Sequence, residues 1–308
     1  MPIKLKSILK ELHVILHEDA TTDAIKDTFS ADSYETFVTQ LGDAVADSKV
    51  AAVLAAGADD GQPADEKITL TDGDIDVTAL RPTQNEIALD KSLTYPLTDV
   101  KSAEDCLKGG SVAIAGNRIV TAEGSYIIDG HHRWSQLYAM NKDAKIAVTD
   151  MVSKDLKKPM DFLKITQVAI AADLKKVPNA TAKGSINLIT ISKDQLKKFV
   201  KTTITPDVMK IFVKYGKVKV NSKKDAENLS ASNLEQAANY IWTNVQSMQQ
   251  TSKPVEGAPK RDFMPQTDDA KNWQKLAARG SLNYKEPFVA SESINKLRWQ
   301  RIANIKKK

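Results

Sequence analysis

Residues 126–138, Tyr126-Ile-Ile-Asp-Gly-His-His-Arg-Trp-Ser-Gln-Leu-Tyr138, decide how the rest of the chain is read. Tyr126, Ile127 and Ile128 have the aromatic and β-branched character of a short buried strand, and Asp129-Gly130 supplies the turn chemistry that ends it. Beyond the glycine, Trp134, Leu137 and Tyr138 recur at i, i+3 and i+4, which places them on one face of a helix. The first turn of that helix carries His131, His132 and Arg133. Unpaired backbone N–H groups and the positive end of the helix dipole make such a junction an anion site, and a guanidinium adds a bidentate fork for phosphate. Phosphate is therefore the expected ligand. In the plainer alternative Asp129 caps the helix, Arg133 pairs with it on the surface, and the histidines are incidental.

Around this stretch, composition sets the bounds. A chain of 308 residues exceeds a typical single domain, so two compact units, or one with helical additions, are expected. Its 42% hydrophobic content can form a core, and 27% charged residues is ordinary for a soluble protein. No stretch approaches the ~18 consecutive apolar residues of a membrane span, and no signal-peptide core precedes the first polar residues. The single cysteine, Cys106, excludes an internal disulfide framework and fits a reducing compartment. The expected location is the cytoplasm, of a bacterium or of a phage-infected host.

The net charge is +5, and residues 296–308 hold six basic side chains and no acidic one, which leaves the rest of the chain one charge negative. Arg298, Trp299, Arg301 and Lys306 in this tail are candidates for nucleic-acid contact, by phosphate pairing and base stacking. A solvated helix end is the alternative.

Taken in order, residues 1–50 read as N-terminal helices: an amphipathic pattern over 2–17, then a helix starting near Ser33 that carries Phe37, Leu41, Val45 and Val50 inward. His13 and His17 stand one helical turn apart without completing a metal set. The Ala, Gly, Asp, Gln and Pro composition of 51–66 reads as a linker. From 67 to 153 a compact α+β unit is expected. Within it 68–70 and 75–80 have strand character, and Pro82 is expected to end strand pairing. A short helix over 102–108 closes at Gly109-Gly110, a hairpin turns at Gly116-Asn117, and a strand spans 145–152. Residues 154–308 read as mostly helical, with helices at 162–175, 193–199, 206–215 (Thr205 as cap, Pro206 at the first position) and 232–249. The polar, Pro-containing run 251–267 is expected to be an irregular strap across a groove or an ordinary surface crossing.

The order strand, Leu80-Arg-Pro-Thr-Gln84, helix, Gly-rich hairpin, Tyr126-Ile-Ile-Asp-Gly-His-His-Arg-Trp134, amphipathic helix, strand resembles the ParB/sulfiredoxin superfamily over residues 67–153. Sulfiredoxins have Gly-Cys-His-Arg at the corresponding turn and chromosome-partition ParB proteins Gly-Glu-Arg-Arg, and both bind nucleotide phosphates there. The resemblance implies a small mixed-sheet domain, flanked here by N-terminal helices and a helical C-terminal half. With His131 in place of the sulfiredoxin cysteine, and Cys106 well before the motif, cysteine phosphoryl chemistry is excluded. No clear helix-turn-helix with a dimerisation tail follows, which argues against a DNA-sliding clamp. The Asp-Gly-His-His-Arg form is most similar to small-molecule kinases, including free serine kinases, and to phage ParB-like proteins.

In those kinases a glutamate near the first motif is the catalytic base. Here Gln84 stands in that register with Glu86 two residues on, and the base stays open between Glu86 and Asp129. A hydroxyl kinase needs a phosphate cradle, charge neutralisation and a carboxylate beside the acceptor oxygen. Gly130 with its neighbouring N–H groups, His131, His132 and Arg133 form the expected cradle; Thr83, Gln84, Lys91 and Ser92 are further nucleotide-binding candidates or helix caps. Glu86, Asp129 and His131 are the catalytic candidates, and Asp129 and Glu86 can help hold Mg²⁺. The donor is ATP or another nucleoside triphosphate; no P-loop sequence is present. The acceptor is expected to be a hydroxymethylated pyrimidine in DNA, reached by base flipping with Phe263, Trp273 or Trp299 available to stack, or else free serine. The competing class is a non-catalytic ParB-like nucleotide- or DNA-binding module. A nuclease is a related alternative, although no cluster of acidic metal ligands is evident.

Overall fold

The junction at 126–138 forms as its residue pattern dictates. Strand β5 is Tyr126–Asp129, Gly130 turns the chain, and a helix runs His131–Met140. The computed structural model describes residues 31–46, 68–154, 156–178, 184–222 and 229–278. The expected helix at 2–17, the His13/His17 pair, the linker 51–66 and the basic tail with Arg298, Trp299, Arg301 and Lys306 lie outside them. The architecture is α+β, and the chain divides into two compact units. No described helix is long and apolar enough to cross a membrane.

One unit joins Leu70–Val152 to Ala180–Met264. Its mixed sheet contains β1 (Thr69–Asp76), β2 (Arg81–Pro82), β3 (Ser111–Val112), β4 (Ile119–Ala122), β5 and β6 (Lys145–Val152), in the order β1-β6-β4-β5-β2, with β3 also on β6. β4 runs antiparallel to β5 and parallel to β6, and β2 lies parallel to β5 with Arg81 opposite Tyr126. The helices are α2 (Leu89–Thr98), α3 (Val100–Lys108), α4 (His131–Met140), α6 (Lys193–Thr203), α7 (Pro206–Lys214) and α8 (Ala231–Thr251). This unit thus crosses the division expected at 153/154. Helices from the C-terminal half share one core with the sheet: Trp134, Leu137, Tyr138 and Met140 of α4 are fully buried in a cluster with Ala237, Ala238, Ile241, Val245 and Met248 of α8.

Polar groups fix how α4 sits in that core. Trp134 Nε1 donates to the Val77 carbonyl at 2.9 Å, and the Trp134 and Tyr138 rings meet edge to face at 5.6 Å, a favoured aromatic geometry. Asn244 Nδ2 donates to Ala139 O and the Tyr240 hydroxyl to Met140 O, both at 2.9 Å. These satisfy carbonyls at the C-terminal end of α4 that have no partner within the helix.

Two local expectations are corrected and one holds. Gly116-Asn117 is not a hairpin: 114–116 is a 3₁₀ turn, and β3 and β4 each run parallel to β6. The hairpin joins β4 to β5 through Glu123-Gly124-Ser125, where Glu123 (φ 51°) and Gly124 (φ 61°) are left-handed and the Gly124 N–H is held by Asp150 at about 2.9–3.0 Å. Pro82 is the last residue of β2, so pairing ends there as expected, and at the sheet edge its missing N–H breaks no ladder. The stretches 68–70 and 75–80 are not two strands but β1 followed by a 3₁₀ turn over Val77–Ala79.

The other unit comprises Met1–Thr69, Ser153–Asn179 and Pro265–Lys308. Its described helices are α1 (Tyr34–Val45), α5 (Pro159–Leu174) and α9 (Trp273–Ala278). Ser33 caps α1 through the Thr36 N–H, and the spacing of Tyr34, Phe37, Val38, Leu41 and Val45 turns one stripe inward. Asn272, just ahead of α9, donates its backbone N–H and side-chain amide to Asp173 of α5.

Candidate phosphate turn and adjoining cleft

The turn depends on a glycine. Gly130 has φ 93°, a left-handed conformation, and a Cβ there would overlap Ile119 Cγ2 and stand 2.8 Å from Ile119 Cβ. Gly130 is the N-cap of α4 with no side-chain cap, and the first helical bond runs from Trp134 N to Gly130 O at 2.9 Å. The N–H groups of His131, His132 and Arg133 lie ahead of that ladder, at the positive end of the helix.

The side chains of this first turn face several ways. His131 is buried, 4% exposed, and its Nε2 accepts the Thr83 N–H at 3.2 Å while the Thr83 hydroxyl donates to Ile127 O at 2.6 Å. An accepting Nε2 leaves the ring proton on Nδ1 and the imidazole neutral. Burial, reinforced by the charge of His132, pushes its pKa down to about 3. His131 thus ties the end of β2 to the start of α4, and its ring does not face the cleft as an acid or base. His132 Nε2 accepts the Ala88 N–H at 3.4 Å. Its pKa is pushed down to about 4, first by burial and then by the charges of Arg261 and Lys91.

Arg133 is part-buried and already engaged. Its NH2 meets Asp129 Oδ2 at 2.8 Å and its NH1 donates to Arg118 O at 2.7 Å. The pairing half of the plainer alternative therefore holds, since Arg133 pairs with Asp129, although Asp129 does not cap the helix. Thr83 and Ser92 are fully buried and Gln84 is 4% exposed. Gln84 Nε2 donates to Glu86 O, and Ser92 Oγ donates to Ala88 O while accepting from Ser135. These three hold the turn together from inside. Lys91 is exposed on α2.

Glu86 lies elsewhere, in a cleft of about 280 Å³ formed by residues 86–88, by Gly184, Ser185 and Asn187, and by Lys260, Arg261 and Asp262. Glu86 Oε2 accepts the Arg261 N–H at 3.5 Å. Ser185 donates to Asp90 Oδ1 at 2.5 Å and holds that carboxyl below its ordinary value. Through the bond from Ala88 to His132, the cleft wall backs directly onto the first turn of α4. Glu86 is among the carboxylates that the sequence singles out, and Lys260-Arg261 lie within the run 251–267 expected to be a strap or a surface crossing, whereas Asn187 and Ser185 carry no sequence signal. Neither stands in any motif; both reach the cleft only by tertiary pairing of 184–189 with 85–89, in which Leu188 N donates to Ile87 O and Leu89 N to Ile186 O.

Among the described residues no group of three or more His, Cys, Asp or Glu side chains is placed to hold a metal ion. Asp129 is engaged by Arg133, so Glu86, with Asp262 in the same lining, would fit a Mg²⁺ carried by phosphate oxygens and water, a mode that needs only one or two protein carboxylates. Cys106 is fully buried, and burial pushes its thiol up to about 12, which removes thiolate chemistry near neutral pH. Of the aromatic stacking candidates, Trp273 is 4% exposed and belongs to the core of its own unit, Phe263 is half-buried in a 3₁₀ turn, and Trp299 lies outside the described residues. Comparison of the chain with family models, with curated proteins and with solved structures gives no match in any of the three.

Proposed function

We propose that this protein is a nucleotide-dependent phosphotransferase of ParB/sulfiredoxin type, acting on a hydroxyl acceptor with ATP or another nucleoside triphosphate and Mg²⁺. The observation that supports it is an uncapped helix start at Gly130 backing onto a cleft lined by two carboxylates, Glu86 and Asp262, and two cations, Lys260 and Arg261. In this reading the N–H groups of residues 131–133 bind phosphate oxygens, and Arg261 and Lys260 offset the charge that develops on transfer. Glu86 takes the acceptor hydroxyl proton as the acceptor oxygen bonds to the γ-phosphorus and the nucleoside diphosphate leaves. Mg²⁺ bound with the nucleotide neutralises β- and γ-phosphate charge. A cleft of this size suits a small acceptor such as serine or a single flipped base such as a hydroxymethylated pyrimidine in DNA.

A second reading, a nucleotide-binding module without transfer, is favoured by the internal commitments of His131 and Arg133. Incubation with γ-labelled ATP, Mg²⁺ and parallel panels of amino acids, plain DNA and hydroxymethylated DNA separates the two. Phosphotransfer predicts label on one acceptor, its loss in Glu86→Gln by at least about 10²-fold, and unchanged nucleotide binding in that variant. Nucleotide binding with no label on any acceptor would sink the transferase and leave the module.

A further inference from the structure

The cleft is made from three stretches far apart in the chain, and one residue outside its lining joins them. The Asn85 backbone N–H donates to Pro259 O at 3.1 Å and its Nδ2 to Ala258 O at 2.9 Å. Its carbonyl accepts from Asn187 Nδ2 at 2.9 Å, and Asn187 Oδ1 in turn accepts the Ile87 N–H at 3.0 Å. Upstream, Arg81 donates to the carbonyls of Lys253 and Pro254 at 3.2 and 3.3 Å, and Val255 N donates to Pro82 O at 3.0 Å. Residues 253–259 are thus pinned along 81–85 as a strap over the sheet edge. Lys260 and Arg261 enter the cleft directly after the bonds to Asn85, and the Arg261 N–H then meets Glu86 Oε2 at 3.5 Å.

One atom shows what that amide is for. Asn85 Oδ1 is buried and meets no hydrogen-bond donor among the described residues. A buried acceptor without a donor is unfavourable, so an apolar side chain of the same size would suit the site better if filling space were its only role. What an apolar residue lacks is the Nδ2 donor to Ala258.

We propose that Asn85 is a positioning residue: its amide fixes the strap so that Lys260 and Arg261 face the cleft, and it sets nucleotide affinity without touching the nucleotide. The affinity half rests on the phosphotransferase reading, whereas the positioning half does not. Asn85→Leu keeps the branched shape and removes both the donor and the stranded acceptor; Asn85→Asp keeps the shape but turns an acceptor toward the Ala258 carbonyl. In the full-length protein, amide exchange over 255–262 should rise about tenfold or more in both variants while α4 keeps its protection and the melting midpoint is retained. Calorimetry with Mg·ATP should show affinity falling about five- to tenfold, and turnover at saturating ATP should fall with it, because Lys260 and Arg261 offset the charge that develops on transfer. Exchange over 255–262 at the wild-type rate in both variants overturns the proposal, as does loss of cooperative melting in both, which would make Asn85 a structural residue. Absence of Mg·ATP binding in the wild-type protein would instead sink the phosphotransferase reading, leaving the exchange measurement to judge Asn85.

Discussion

His131 and His132 are adjacent in sequence, and each accepts a backbone N–H from the stretch that follows β2, His131 from Thr83 and His132 from Ala88. Acceptance requires an unprotonated ring nitrogen, and burial enforces it, with folded-state pKa values near 3 and 4 against 6.5 in an open chain. Below pH 6.5 the unfolded chain therefore binds more protons than the folded one. The contribution of these residues is fully present above about pH 6.5 and is lost as pH falls toward 4 and then 3. The slope approaches about 1.4 kcal/mol per pH unit for each histidine. Urea unfolding at pH 7, 6, 5 and 4 should show this decline, and His132→Gln should flatten it by about one proton's worth. An unchanged slope in that variant would mean that His132 is already charged in the folded state. The same residue scale separates what the motif promised from what it delivers: Gly130 and the helix start stand where the pattern put them, whereas His131, Thr83, Gln84 and Ser92 turned inward. Residue type and spacing state which groups meet at a junction, but not which of them faces solvent.

Among the elements, the most legible ends were those with chemical punctuation. Thr205-Pro206 begins α7 as cap and first residue, Gly109 closes α3, and β6 spans the residues expected of it. Helix α6 starts at a reciprocal capping box in which Ser192 and Gln195 satisfy each other's backbone N–H. Ser192→Ala should lower the unfolding free energy by about 1 kcal/mol in urea titration, and a loss indistinguishable from zero would show that the box carries no net stability. The hairpin was misplaced because Gly116-Asn117 and Glu123-Gly124 are both plausible turns on local chemistry. The antiparallel partner decides between them: β4 pairs with β5, so the turn must fall at 123–125. Pro82 is the last residue of β2, and the chain leaves the sheet after it as the sequence pattern requires. A strand of two residues at a sheet edge tolerates a missing N–H, and edge position is a property of the assembled sheet.

For the molecule as a whole, the apolar face of α4 sets what can fold alone. Trp134, Leu137, Tyr138 and Met140 are buried together with Ala237, Ala238, Ile241, Val245 and Met248 of α8, and the Tyr138 hydroxyl lies within 3.2 Å of Ser247 Oγ and 3.0 Å of Thr251 Oγ1. A fragment ending at residue 153 would expose the α4 side chains, each worth roughly 1.5–3 kcal/mol of burial, against a total stability of the same order as a few such losses. A fragment of residues 67–153 should therefore show no cooperative thermal transition by circular dichroism, while residues 68–264 retain one. A sharp transition in the shorter fragment would show that the motif region is an independent domain. By itself the sequence determined the α+β class, the strand-glycine-helix junction and most helix boundaries, because these follow from periodicity, capping chemistry and the one conformation that only glycine adopts freely. Only the tertiary structure decided that 180–264 packs with the sheet, and that Asn85 and Asn187 join the walls of the cleft. Each of those depends on contacts between residues distant in the chain, on which local pattern carries no information.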